Sequence, residues 1–97
     1  MATYIILCNF TEQGIRSVKD TAKRAETLNA LGKENGVTVK VMYWTLGSYD
    51  IVATLEAPDD ETITALGVSL GQTGYVRTQT LRAFSADEMA KILARAK

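Results

Sequence analysis

Side chains that could do acid–base chemistry are concentrated after the Gly47-Ser48 pair of this 97-residue chain, where Tyr49 and Asp50 follow directly. A carboxylate desolvated at the mouth of a cavity can have its pKa raised into the range of a general base. Asp50 is therefore a candidate base, and Tyr49 or Arg82 a candidate electrophilic support. The competing interpretation is structural, since an Asp beside a Gly turn commonly stabilises that turn or pairs with an arginine, here Arg77 or Arg82.

The composition limits the chemistry that is open to these residues. The chain has no histidine and one cysteine, Cys8, which ends the apolar run that starts at Tyr4. The usual ligands of zinc and haem and the usual bases of Ser-His or Cys-His catalysis are missing, although carboxylates can still bind magnesium or manganese. We assign no metal site and no cofactor, and we predict that Cys8 is a small buried hydrophobe.

Charge and hydropathy bound the class of protein. Eleven basic and eleven acidic residues cancel, so no global field attracts nucleic acid or an anionic membrane. Four basic residues of the first helix could form an anion patch, but they lack interleaved aromatic residues and are interpreted as a solvated face: Arg16, Lys19, Lys23 and Arg24. No apolar run approaches the roughly 18 residues of a membrane span, and the start lacks a signal-peptide pattern. We expect one cytoplasmic domain over residues 1–97.

Periodicity predicts four strands and three main helices. The strands are predicted at residues 3–10, 37–46, 49–57 and 75–84. Gly47-Ser48 has the spacing of a two-residue hairpin. Thr11, Asp59 and the Ser85–Glu88 pair are predicted to cap helices, and Thr21 to recap the long first helix after a short one. The order β-α-β-β-α-β plus a terminal helix predicts an α+β, ferredoxin-like domain with a four-stranded antiparallel sheet and helices on one face.

Alternation along strand two predicts two different sheet faces. Met42 and Trp44 fall on the face away from the helices, together with Lys40 and, from strand three, Val52. This face is too apolar for bulk water and too polar for an ordinary core. We predict that it packs against a second copy, with Met42 and Trp44 lining an apolar cavity between the sheets and Tyr49 or Tyr43 supplying a hydroxyl at its rim. Solid packing in a dimer core is the competing explanation.

By the same alternation, Arg77 and Arg82 of strand four fall on opposite faces. Only one of them can point inward, and the sequence does not decide which. Arg82 shares a face with Thr78 and Thr80 and could bind a carboxylate, whereas a salt bridge to Asp50 or Glu56 is the alternative. The candidate ligand-binding set is Met42, Trp44, Tyr49, Asp50 and Arg82.

Three segments, Tyr43–Asp50, Glu56–Asp60 and Gly74–Phe84, resemble the GYD-domain family. The family is named for Gly-x-Tyr-Asp, present here as Gly47-Ser48-Tyr49-Asp50, and the likeness covers nearly the whole chain. The resemblance implies a dimeric α/β barrel, in which two ferredoxin-like sheets face each other around a cavity. It implies no particular reaction.

Three functions remain open from the sequence. The leading hypothesis is a homo-oligomeric, at least dimeric, domain that binds a small molecule between facing sheets. The second is a cofactor-independent isomerase or oxygenase with Asp50 as its base. The third is a structural or assembly module built on subunit contacts. Whether the chain is an enzyme is left open.

Overall fold

A computed structural model describes all 97 residues and contains the predicted four-stranded antiparallel sheet, whose strands lie side by side in the order Thr38–Trp44, Ile51–Ala57, Ala2–Phe10 and Val76–Ala83. The elements along the chain are β1 (Ala2–Phe10), α1 (Glu12–Arg16), a 3₁₀ turn (Val18–Asp20), α2 (Thr21–Glu34), β2 (Thr38–Trp44), β3 (Ile51–Ala57), α3 (Asp60–Gln72), β4 (Val76–Ala83) and α4 (Ala86–Arg95). This is the ferredoxin-like plan with a C-terminal helix, so the predicted fold is confirmed. None of the helices has the length and hydropathy that a bilayer span requires.

The helix starts follow their predicted capping residues. The Thr11 side chain caps α1, and the Asp59 carboxylate accepts from the backbone N–H of Thr62 at 2.8 Å. The Thr62 hydroxyl donates to the same carboxylate. This bond has the larger effect on the pKa of Asp59 and the bond from the N–H the smaller, and both lower it. Ser85 and Glu88 form a full capping box at α4, and the N–H of Ser85 lowers the pKa of Glu88. These caps are local interactions, and their sequence signatures are therefore sufficient to predict them.

The core lies between the helices and one face of β1 and β3. Its buried members are Tyr4, Ile6, Cys8, Val37, Ile51, Ala53, Leu55, Ala57, Ile63 and Leu66. The Tyr4 hydroxyl donates to the carboxylate of Asp60 at the start of α3, and this bond raises the pKa of Tyr4 to about 12. Burial raises the pKa of the Cys8 thiol to about 11, which agrees with the predicted inert, buried role.

A β-bulge at Lys40 changes the predicted faces of β2. Val39 lies opposite Leu55 and Val41 lies opposite Thr54, so Lys40 is an extra residue without a partner in the ladder. Because side chains alternate with a period of two, one inserted residue exchanges the faces of everything that follows it. The predicted strict alternation is therefore wrong beyond Val39.

The β2–β3 connection is also longer than predicted. The strands end at Trp44 and restart at Ile51, and the connection is closed by the N–H of Thr45, which donates to the carbonyl of Asp50 at 2.8 Å. Gly47 has the expected positive φ, +123°. The two-residue hairpin is wrong because Asp50 bonds to β1 through both its carboxylate and its N–H, while the Thr45 hydroxyl bonds to the carbonyl of Tyr49 inside the connection.

We predict opposite effects for alanine at two helical glycines. A Cβ on Gly14 would lie 1.9 Å from the carbonyl oxygen of Tyr75, so Gly14→Ala forces the backbones apart and should lower the free energy of unfolding. Overpacking of this kind costs about 1–3 kcal/mol. A Cβ on Gly71 meets nothing within 4 Å, and Gly71→Ala should stabilise α3 by up to about 1 kcal/mol. Urea denaturation measures both, and equal effects of the two variants would contradict the close approach at Tyr75.

Candidate functional site

Asp50 is bonded into the end of the sheet. Its carboxylate Oδ2 accepts from the backbone N–H of Phe10 at 2.9 Å. Its own N–H donates to the carbonyl of Cys8 at 2.8 Å, while its carbonyl accepts from Thr45. Asp50 thus fastens the β2–β3 connection to the last residues of β1. This is a structural role, but a different one from the predicted turn cap or pair with an arginine.

Tyr49 extends over the sheet face that carries no helix, which we call the open face. The hydroxyl of Tyr49 donates to Oε1 of Gln79 at 3.1 Å. Gln79 lies on β4 opposite Leu7, so the contact crosses β1 from the β2–β3 connection. Tyr49 therefore lies on the sheet face for which the sequence analysis predicted a ligand cavity.

Met42 and Trp44 lie on the other side of the sheet, contrary to the prediction. Met42 packs against the core beneath α2, where Leu28 is one of its neighbours in a common cavity lining. The indole Nε1 of Trp44 donates to Oγ1 of Thr21 at the start of α2, at 3.0 Å. Thr21 makes no cap, since Asp20 is the N-cap residue and forms no side-chain bond there. The physical reason for the exchange of faces is the bulge at Lys40.

Arg82 lies at the opposite end of the sheet and on its helix side. Its Nη1 donates to the carbonyl of Thr3 at 3.3 Å, and its guanidinium lies over the rings of Tyr4 and Phe84 at 5.6 and 4.5 Å. Its Nη2 lies 3.8 Å from the carboxylate of Glu88 in α4. Arg82 therefore ties the start of α4 to the sheet.

The predicted salt bridge from Arg82 to Asp50 or Glu56 is wrong. Glu56 pairs with Lys40 at 3.2 Å, and Asp50 bonds to a backbone amide. The predicted ligand-binding residues therefore do not converge: they occupy both faces and both ends of the sheet. No group of three or more acidic, Cys or His side chains is arranged as metal ligands would be.

Two rows of side chains that cross the four strands determine how apolar the open face is. One row consists of Tyr43, Val52, Leu7 and Gln79, and the next consists of Val41, Thr54, Ile5 and Leu81. Tyr43 is 65% exposed, Val41 41% and Leu81 38%. The open face is thus as apolar as the sequence suggested, but Val41 and Tyr43 take the places that were predicted for Met42 and Trp44.

A predominantly apolar space lies on the helix side, between α2 and α3. It has a volume of about 250 Å³ and is lined by Met42, by Leu28 and Leu31 of α2, by Leu70 of α3 and by residues of the sheet beneath. It forms because α2 packs over β2 while α3 packs over β3 and β4, so that the two helices stand apart. We call it the α2–α3 cavity.

Arg24 contributes to this cavity and was not predicted as a site residue. Its guanidinium lies over the ring of Tyr75, 4.4 Å from the centroid, and its Nη2 is buried without a hydrogen-bond partner. The sequence interpretation placed Arg24 on a solvated face with the other basic residues of the helix. The signal that could have found it is its spacing, since Arg24 precedes Leu28 by four residues and Leu31 by seven, on the stripe that faces the sheet.

Comparison with known proteins places this geometry in a family. The sequence profile described as the GYD domain matches residues 4–93. A Thermus thermophilus protein named glutamine synthetase and cystathionine beta-lyase binding protein is 34% identical over 94 residues, which cover 95% of this chain and 99% of that protein.

Two solved structures share the fold. The crystal structure of TTHA0845, also from Thermus thermophilus, has a TM-score of 0.56 and 27% identity, and the match covers 89% of this chain and 96% of that one. A crystal structure of an FFRP protein has a TM-score of 0.61 and 22% identity, with 87% and 100% of the two chains covered. At 22% identity, the FFRP structure supports the fold alone.

We predict that Asp50 acts as an acceptor for Phe10 and that its charge matters little for stability. Asp50→Ala leaves the Phe10 N–H unpaired and should lower the free energy of unfolding by about 1–3 kcal/mol. Asp50→Asn keeps a carbonyl acceptor and should lose less than half as much. Asp20→Ala is the control, because Asp20 makes no side-chain cap bond. Chemical denaturation checks this, and equal losses in the Asn and Ala variants would contradict it.

Proposed function

Because the chain belongs to the GYD domain family, we propose that it is a homodimeric protein-binding module, with one exposed apolar surface for its own copy and another for a partner protein. The observation that carries the proposal is that the protomer leaves two separate apolar surfaces uncovered. The name of the Thermus relative, which matches over nearly the full length of both chains, supports protein partners for this chain as well.

The first surface is the open face. Val41, Tyr43 and Leu81 are exposed there, and the half-buried Ile5 and Leu7 lie between them. Burial of apolar surface contributes about 25 cal/mol per Å², so a cover for this face is favourable. A two-fold axis needs only one self-complementary patch, and an exposed sheet face can pack against the same face of a second copy. We therefore propose a second copy of the chain as the occupant of the open face.

The second surface is the apolar side of α4. Met89, Ile92 and Leu93 recur at helical spacing and are 43%, 37% and 61% exposed. Arg82 holds the start of this helix near the sheet through Glu88, while the rest of its apolar side stays uncovered. An amphipathic helix that presents such anchors is suited to a groove on another protein. We propose this side of α4 as the partner-binding surface.

We expect arginine substitutions to separate the two surfaces. Leu81→Arg should convert the dimer to a monomer, because it buries an unpaired charge between the sheets. Ile92→Arg in α4 should leave the dimer intact. Val68→Arg is the matched control, since Val68 is an apolar residue of α3 that is 56% exposed. Sedimentation velocity measures the oligomer. A wild-type monomer would overturn the dimer proposal, and a dimer lost only in Ile92→Arg would assign α4 to the subunit interface.

We expect Ile92→Arg and Val68→Arg to differ in their affinity for a partner protein. The partners to be tested first are purified glutamine synthetase and cystathionine beta-lyase from the same organism, as the name of the relative suggests. By calorimetry, wild type and Val68→Arg should bind at least one of them saturably, and Ile92→Arg should bind about ten-fold more weakly or not at all. Absence of binding to both enzymes, or undiminished binding by Ile92→Arg, would contradict the partner proposal.

Small-molecule binding between facing sheets is a second candidate function. The Tyr49–Gln79 hydrogen bond favours it, because it places two polar groups beside the exposed apolar side chains of the open face. A thermal-shift screen of small metabolites against wild type and Tyr49→Phe tests it, and a ligand of this site should lose affinity in the variant. An isomerase or oxygenase activity would require Asp50 as a free base, and the Asp50–Phe10 bond does not favour this.

A further inference from the structure

The α2–α3 cavity is a second apolar space that dimerisation through the open face leaves untouched. It lies on the helix side of the sheet, and most of its lining residues, 13 of 18, are hydrophobic. Its volume of about 250 Å³ exceeds the roughly 150 Å³ of an apolar cavity that accepts benzene. The cavity can therefore hold a small organic molecule without rearrangement of the core.

The charge of the cavity is unbalanced. Arg24 is among its lining residues and no acidic residue is. Arg24 forms no salt bridge, and its buried Nη2 has no hydrogen-bond partner. A buried guanidinium N–H without an acceptor is costly, and a carboxylate is the acceptor whose geometry it fits best. The Tyr75 ring under the guanidinium fixes the direction of its N–H groups.

We propose that the α2–α3 cavity binds a small amphiphilic carboxylate, one molecule per chain. The carboxylate accepts from Arg24, and the alkyl or aryl body lies against Leu28, Leu31, Met42 and Leu70. The ratio of the cavity volume to that of the benzene-binding cavity sets the ligand at about ten non-hydrogen atoms. This inference goes beyond the proposed protein-binding function and does not depend on it.

Octanoate, which has the required size and charge, is the probe for this site, and octanol is its uncharged match. Calorimetry with the full chain should give saturable octanoate binding and about ten-fold weaker octanol binding, or none. Arg24→Gln should weaken octanoate binding about ten-fold and leave octanol binding unchanged. Lys23→Gln, an exposed change at the preceding position of α2, should leave both unchanged.

The methionine methyl groups report where the probe binds. The chain has three methionines; Met42 lines the cavity, and Met89 lies on α4. Octanoate should shift the Met42 methyl NMR signal along the same saturation curve as calorimetry, while the Met89 signal stays constant. This measurement uses the wild-type chain, so it decides the site even if an Arg24 variant fails to fold.

Three results would overturn the proposal. The first is no saturable octanoate binding, and the second is binding that shifts Met89 but not Met42. The third is equal affinity for octanoate and octanol, which would remove the role of Arg24. Sedimentation of the same samples reports the dimer separately, so failure of the cavity proposal and failure of the proposed function are distinguishable.

Discussion

The extra residue that Lys40 inserts into β2 is the constraint on which the rest of the arrangement depends. Beyond it, Met42 and Trp44 turn toward α2, while Val41 and Tyr43 turn to the open face. Because side chains alternate between the two faces of a sheet, one unpaired residue moves every later side chain of the strand to the opposite face. The same bulge brings Met42 into the lining of the α2–α3 cavity and places the ring of Tyr43 on the open face.

The two faces are consequently suited to different tasks. The open face carries no helix and exposes Val41, Tyr43 and Leu81, which suits contact with another sheet. The helix side carries a gap, because α2 and α3 pack over different strands, and Arg24 lies in that gap without a counterion. A partner surface and a ligand cavity can therefore coexist in one small domain without competing for the same side chains.

Local features were predictable and connections between distant residues were not. The caps at Thr11, Asp59 and Ser85 depend on neighbours three residues away, and all three are present. The Gly47-Ser48 hairpin failed because the carboxylate of Asp50 bonds to Phe10, forty positions earlier in the chain. No local pattern contains that competitor, so the turn signal was interpreted without it.

The sequence by itself determined the element order, the ferredoxin-like sheet, the helix caps, the family and the presence of a half-apolar second face. All of these except the family follow from hydrophobic periodicity and from capping chemistry, which act over a few residues. The family follows from the resemblance of whole segments of the chain. Only the tertiary structure decided which side chains occupy each face, because register depends on cross-strand pairing. It also decided that the Nη2 atom of Arg24 is buried beside a cavity, since the space between two helices is set by the strands on which each one packs.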